Sequence, residues 1–224
     1  MQNIFIILLS SLFWLANPEK IQEEKSWPDE LNTAKDVAYL SDLEKEVIYE
    51  LNKVRSNPKQ FAEEYLEELR ASFEGKTFIY PGRTPVNSVE GVFPLNECIQ
   101  ALKKTEPVSI LKPAEGLARA ASILAEDQMK HGGIGHISRN GASPKNRIER
   151  FGHWDICSSE DITYGSFEAR QIVIALLIDD GVPDRGHRKN ILNECSHFVG
   201  VSFGGHPSYQ SMCVIDYAGE YKTK

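Results

Sequence analysis

The chain has 224 residues, 41% hydrophobic and 9% aromatic, with a formal net charge of −7. That length suits one domain with a sizeable core plus an N-terminal extension, and the composition is that of an ordinary globular protein. An acidic balance without a basic stripe excludes nucleic acid as the main partner.

The run from Ile4 to Ala16 is apolar, broken only by Ser10 and Ser11. It is too short to span a bilayer and fits the apolar centre of a secretory signal, so residues 1–16 read as a signal peptide. The mature protein is then expected to be secreted, with no stable transmembrane span. Residues 17–40 are polar and acidic without a sustained period and read as an exposed leader. One domain is expected over 41–224. Ser41 and Glu44 form a capping box, and Leu43, Val47, Leu51 and Val54 make one helical stripe. Asn57-Pro58 ends that helix and starts another, whose buried face is Phe61, Ala62, Tyr65, Leu66 and Leu69. Residues 71–92, with Gly75, Pro81, Gly82, Pro85 and Gly91, read as loop.

A helix is expected over about 94–104, and Pro113 opens a further, alanine-rich one. There Leu117, Ala120, Ala121, Leu124 and Met129 recur at helical spacing, and Gly132-Gly133 ends it. Ser143-Pro144 starts a short helix through Phe151, and an apolar helix follows over about 167–178. Strand signals are few and late: Phe198 to Phe203, Gln210 to Tyr217, and one near 154–157. This pattern predicts an α+β domain with a small antiparallel sheet.

Four cysteines behind a secretory signal fit an oxidising compartment. Cys98, Cys157, Cys195 and Cys213 allow three connectivities, and no two are spaced for a zinc knuckle. Cys195 and Cys213 flank a hairpin expected to be centred near Gly204-Gly205, so those two are expected to pair, which leaves Cys98 with Cys157.

The chemistry gathers in three segments. Asp184-Arg-Gly-His-Arg-Lys-Asn-Ile-Leu192 follows the pair Asp179 and Asp180 and carries His187. Unpaired charge is costly in a core, so this stretch suits the wall of a polar cleft. Gly133-Ile-Gly-His-Ile-Ser-Arg-Asn-Gly141 carries His136, and Ser159-Glu-Asp-Ile-Thr-Tyr-Gly165 carries Glu160. Two histidines and a carboxylate are ordinary zinc ligands, and three such groups leave an open position at catalytic sites. The plainer reading stays beside it: histidines in glycine-rich loops brace turns, and Glu160 pairs with Arg185 or Arg188.

The order of these segments resembles the CAP superfamily (cysteine-rich secretory proteins, antigen 5 and pathogenesis-related 1), in its SCP-like extracellular branch. The resemblance runs from Val47-Ile-Tyr-Glu-Leu-Asn-Lys-Val-Arg-Ser-Asn-Pro58 through the alanine-rich helix, Gly135-His136, Glu160 with Gly165, and Arg185-Gly-His-Arg188. It closes at Val199-Gly-Val201 and Val214-Ile-Asp-Tyr-Ala218. It implies a three-layer α-β-α sandwich and a cleft tetrad of two histidines and two acids, with His136, Glu160 and His187 at the family's positions. The second acid is assigned to Asp180, with Asp179 and Asp184 as alternatives. The family usually writes Glu-Asn-Ile where this chain has Glu160-Asp161-Ile162, and the added charge alters local hydrogen bonding.

Three functions fit. The first is a secreted module binding a lipid, sterol, peptide, divalent cation or extracellular protein. The second is a metal-assisted hydrolase. The third is a structural or signalling module read through its surface loops. There is no H-E-x-x-H helix and no G-x-S-x-G elbow, so the familiar hydrolase motifs are missing. The first function leads.

Overall fold

A computed structural model describes residues 27–79 and 85–224. The expected signal peptide and the first part of the expected leader lie outside those residues, as do Pro81 and Gly82.

In chain order, the helices are α1 (Asp42–Ser56), α2 (Pro58–Phe61), α3 (Phe93–Leu102), α4 (Glu115–His131), α5 (Pro144–Phe151), α6 (Ala169–Ile178) and α7 (Gly186–Ile191). The strands are β1 (Phe73–Glu74), β2 (Thr77–Phe78), β3 (Val86–Asn87), β4 (Lys112–Pro113), β5 (Gly152–Tyr164), β6 (Phe198–His206) and β7 (Gln210–Thr223). The capping box at Ser41 forms, and Asn57 caps α2 by accepting a hydrogen bond from the Gln60 amide. The segment read as loop holds β1, β2 and β3, a small antiparallel sheet of very short strands.

The main sheet has the order β4-β6-β7-β5, antiparallel except for the β4–β6 pair. Alternation along β7 divides the core. Met212, Val214 and Ala218 face α4, while Cys213, Ile215 and Tyr217 join α1, α6 and α7 on the other side. Two helical layers thus sandwich the sheet, as the resemblance implies. The close seam is at Gly200: a Cβ there would lie 2.0 Å from the Ala118 amide nitrogen and 2.1 Å from the Leu117 carbonyl carbon.

Three expectations are corrected. Residues 27–40 are not an exposed leader, because Trp27, Leu31, Ala34 and Leu40 are buried in the main core. Trp27 Nε1 donates to Glu64 Oε2 (2.9 Å) and Tyr65 Oη (2.8 Å), and Asn52 Nδ2 donates to the Leu31 carbonyl (2.8 Å). The strand expected near 154–157 spans Gly152–Tyr164. Its charged residues hid it, and a bulge between Asp155 and Ser158 interrupts its register.

The disulfide is Cys157–Cys195, with Cα atoms 6.4 Å apart, and Cys98 and Cys213 are buried and unpaired. The hairpin turns after His206 rather than at Gly204-Gly205, so Cys213 stands opposite Phe203. Cys195 falls instead beside Gly219, where the bulged β5 brings Cys157.

Candidate functional site

Each histidine named from the sequence is paired with a buried acid. His136 Nδ1 lies 2.8 Å from Glu160 Oε1, and His187 Nδ1 lies 2.6 Å from Asp179 Oδ1. The two carboxylate side chains are 1% exposed, whereas the His136 side chain is 47% exposed and that of His187 22%. A carboxylate at Nδ1 fixes the tautomer with the proton on that nitrogen, and the Nε2 lone pair is left over. Neither Nε2 has a protein partner among the described residues.

The loop bearing His136 is held from several sides. Gly133 and Gly135 adopt positive φ, which glycine tolerates without strain. The Tyr164 hydroxyl accepts from the Gly135 amide (3.0 Å) and donates to Gln128 Oε1 (2.9 Å), while Gln128 Nε2 donates to the Gly135 carbonyl (2.7 Å). His206 Nε2 donates to the Gly133 carbonyl (2.8 Å) and its Nδ1 accepts from the amides of Ser208 and Tyr209. His206 braces the hairpin tip against this loop.

Beneath the loop lies Arg147 of α5, which sequence reasoning missed. Its Nη1 donates to the carbonyls of His136 (3.0 Å) and Ala142 (2.9 Å) and to Ser138 Oγ (3.1 Å), and its Nη2 meets Glu160 Oε2 at 2.5 Å. A single arginine in a short helix gives no sequence signal of burial. Glu160 therefore pairs with Arg147, not with Arg185 or Arg188.

The second pair sits at two left-handed turns. Asp179 ends α6 at φ 60° and Arg185 precedes α7 at φ 53°, both in the region that favours glycine. Asp179 Oδ2 accepts the His187 amide (2.9 Å), so one carboxylate fixes both the backbone and the ring. Burial disfavours the charged ring. The hydrogen bond to Asp179 and the nearby charges of Asp161, Asp179 and Asp184 outweigh it and hold the His187 pKa above its ordinary value.

The acid that meets His187 is thus Asp179, one of the two alternatives, rather than Asp180. The Asp180 carboxylate accepts from the amides of Val89 (2.7 Å) and Glu90 (2.9 Å). The arginines are not cleft walls either. Arg185 forks onto Glu90 and reaches Glu97, while Arg188 donates to Glu97 and to the carbonyls of Leu177 and Ile178. Chiefly through its hydrogen bond from Arg185, Glu90 is drawn down to a pKa of about 2. These cations clamp the ends of α3 and α6.

Between the two histidines runs β5, an edge strand of the sheet. Glu160 and Asp161 are consecutive and so point to opposite faces. Glu160 meets His136 and Arg147 on one face, and Asp161 accepts from Asn190 Nδ2 (2.7 Å) on the other. Asp161 is buried, and burial lifts its pKa to about 7 against the opposing pull of Asn190 and His187.

Among the described residues no three His, Cys, Asp or Glu side chains are grouped to hold a metal ion. His136, Glu160 and His187 do not form such a group, and Glu160 turns one oxygen to His136 and the other to Arg147. Ile134 and Ile137, on either side of His136, are exposed.

A model of the Cysteine-rich secretory protein family (CAP) matches residues 48–217. Two solved structures are similar. One is an outer surface protein from Borrelia burgdorferi, with 18% identity and a TM-score of 0.41, over 58% of this chain and 89% of that one. The other is an extracellular protein containing a SCP domain from Bacillus anthracis, with 19% identity and a TM-score of 0.40, over 58% of this chain and 39% of that one. No curated protein matches significantly.

Proposed function

Since this chain belongs to the CAP, or cysteine-rich secretory protein, family, we propose that it is a secreted binding module whose ligand is met by the free Nε2 atoms of His136 and His187. The observation that carries this reading is the repeated pairing of an accessible imidazole with a buried carboxylate. Orienting a ring through its second nitrogen is how proteins prepare histidine to bind. Exposed Ile134 and Ile137 give the ligand an apolar surface to rest on beside His136. The disulfide supports an oxidising destination. No helix among the described residues is long and apolar enough to cross a membrane.

Ser138, the serine nearest His136 in sequence, is buried and its hydroxyl accepts from Arg147 Nη1, which disfavours a serine nucleophile beside that ring.

Zinc is the natural probe, because a neutral imidazole nitrogen is an ordinary zinc ligand. In titration calorimetry the full chain should bind zinc, and a folded double variant His136→Ala, His187→Ala should lose at least tenfold in affinity. Unchanged binding in that variant would remove both histidines from the function.

A further inference from the structure

One buried acid is left unexplained by the site. Asp216 of β7 is fully buried, and neither of its carboxyl oxygens is reached by a protein donor. It lies on the α4-facing side of β7, between the apolar groups formed by Met212 and Val214 on one hand and Ala218 on the other. Its neighbour in the β6–β7 register is Gly200, which offers no side chain and is closed off by the α4 backbone.

Across the β5–β7 ladder Asp216 stands directly opposite Glu160, so the two carboxyl groups face each other on one side of the sheet. The charged and titratable groups around it are few. Glu160 comes from β5, Arg147 from α5, His136 from the loop above, Tyr221 from further along β7, and Asp161 lies on the opposite face. Two carboxylates against one guanidinium would leave an uncompensated negative charge in a dry layer, which is strongly unfavourable. One proton cancels it.

We infer that Asp216 is a neutral carboxylic acid that donates its proton to Glu160, and that this fixes the Glu160 carboxylate toward His136 and leaves the Nε2 of His136 free. Asp216 is then a positioning residue. Its effect on binding rests on the proposed function, whereas its protonation does not. Burial, with Glu160 adding to it, raises the Asp216 pKa well above the ordinary aspartate range, in the same direction as the geometry.

The test uses the full chain with aspartate carboxyl carbons labelled and Asp216 assigned through its own backbone resonances. At neutral pH its carbon should show the acid form, and a carboxylate signal there overturns the inference. A second readout is linkage. The folded state keeps this proton while the unfolded chain releases it above about pH 3.9. The unfolding constant of the natural chain, relative to Asp216→Asn, should therefore rise by up to tenfold per pH unit toward neutrality. A ratio flat with pH overturns the protonation.

The positioning role is read from the His136 ring nitrogens. Asp216→Asn keeps a donor to Glu160 and should keep the Nδ1–H tautomer, whereas Asp216→Val should mix the two tautomers. An unmixed ring in folded Asp216→Val overturns the positioning role. If zinc binding fails while the Asp216 carbon is in the acid form, the binding reading falls alone.

Discussion

His136, Glu160 and His187 were legible as residues, because histidine and acid in glycine-punctuated segments are conspicuous and their order matches a family. Their partners were not. Asp179 and Asp180 are adjacent and identical in type, and only the left-handed turn at Asp179 decides which carboxylate returns toward His187. Arg147 and Asp216 were invisible because burial of a charge depends on what folds over it. The Asp179 pair carries a pH prediction. Burial opposes the charged ring, but Asp179 and its acidic neighbours hold the His187 pKa above its usual value. The folded state then binds that proton more tightly than the unfolded chain does. The stabilisation is complete below the ordinary histidine pKa of about 6.5 and is lost as pH rises through the raised value. Urea unfolding across that window should show stability declining with pH in the natural chain. The same series in Asp179→Asn should be distinctly flatter, and an equal slope would deny the pair its role.

Among the elements, the helices are legible in the sequence because their apolar stripes recur at helical spacing and Ser41, Asn57 and Ser143 cap them. β5 shows only as a short fragment in the sequence because its inward positions hold Glu160 and Asp161, so alternation in hydrophobicity does not mark it. The last hairpin turns beyond Gly204-Gly205, and that displacement sets Cys213 opposite Phe203 instead of Cys195. No sequence pattern reveals the contact of α4 with the sheet at Gly200. A methyl group there would meet the backbone at Leu117 and Ala118, which cannot yield as a flexible side chain would. Gly200→Ala should therefore destabilise by about 3 kcal/mol or more, at the upper end for overpacking. The shift in the urea midpoint measures it, and a loss below about 1 kcal/mol would show that the layers can separate cheaply.

Over the whole molecule, the expected α-β-α sandwich is the one observed, while the boundary at residue 40 is not, since Trp27, Leu31 and Ala34 pack into the same core. The Cys157–Cys195 bridge spans 38 residues and joins β5 to the segment entering β6. On the chain-entropy view it contributes roughly 4 kcal/mol, so Cys157→Ser with Cys195→Ser should lower stability by about that much. Non-reducing peptide maps should find Cys98 and Cys213 alkylated only after unfolding, because burial pushes the Cys98 thiol up to about 12 and raises that of Cys213 too. In the proposed function two imidazoles, each pinned at Nδ1 by a buried acid, present Nε2 to a ligand. Ring-nitrogen NMR of histidine-labelled protein, recorded during a zinc titration at mildly alkaline pH, tests it most directly. Nδ1–H tautomers are expected for His136 and His187 at the outset, with zinc-dependent shifts at their Nε2 atoms and His206 unmoved. Nε2–H tautomers, or shifts confined to other histidines, would contradict it.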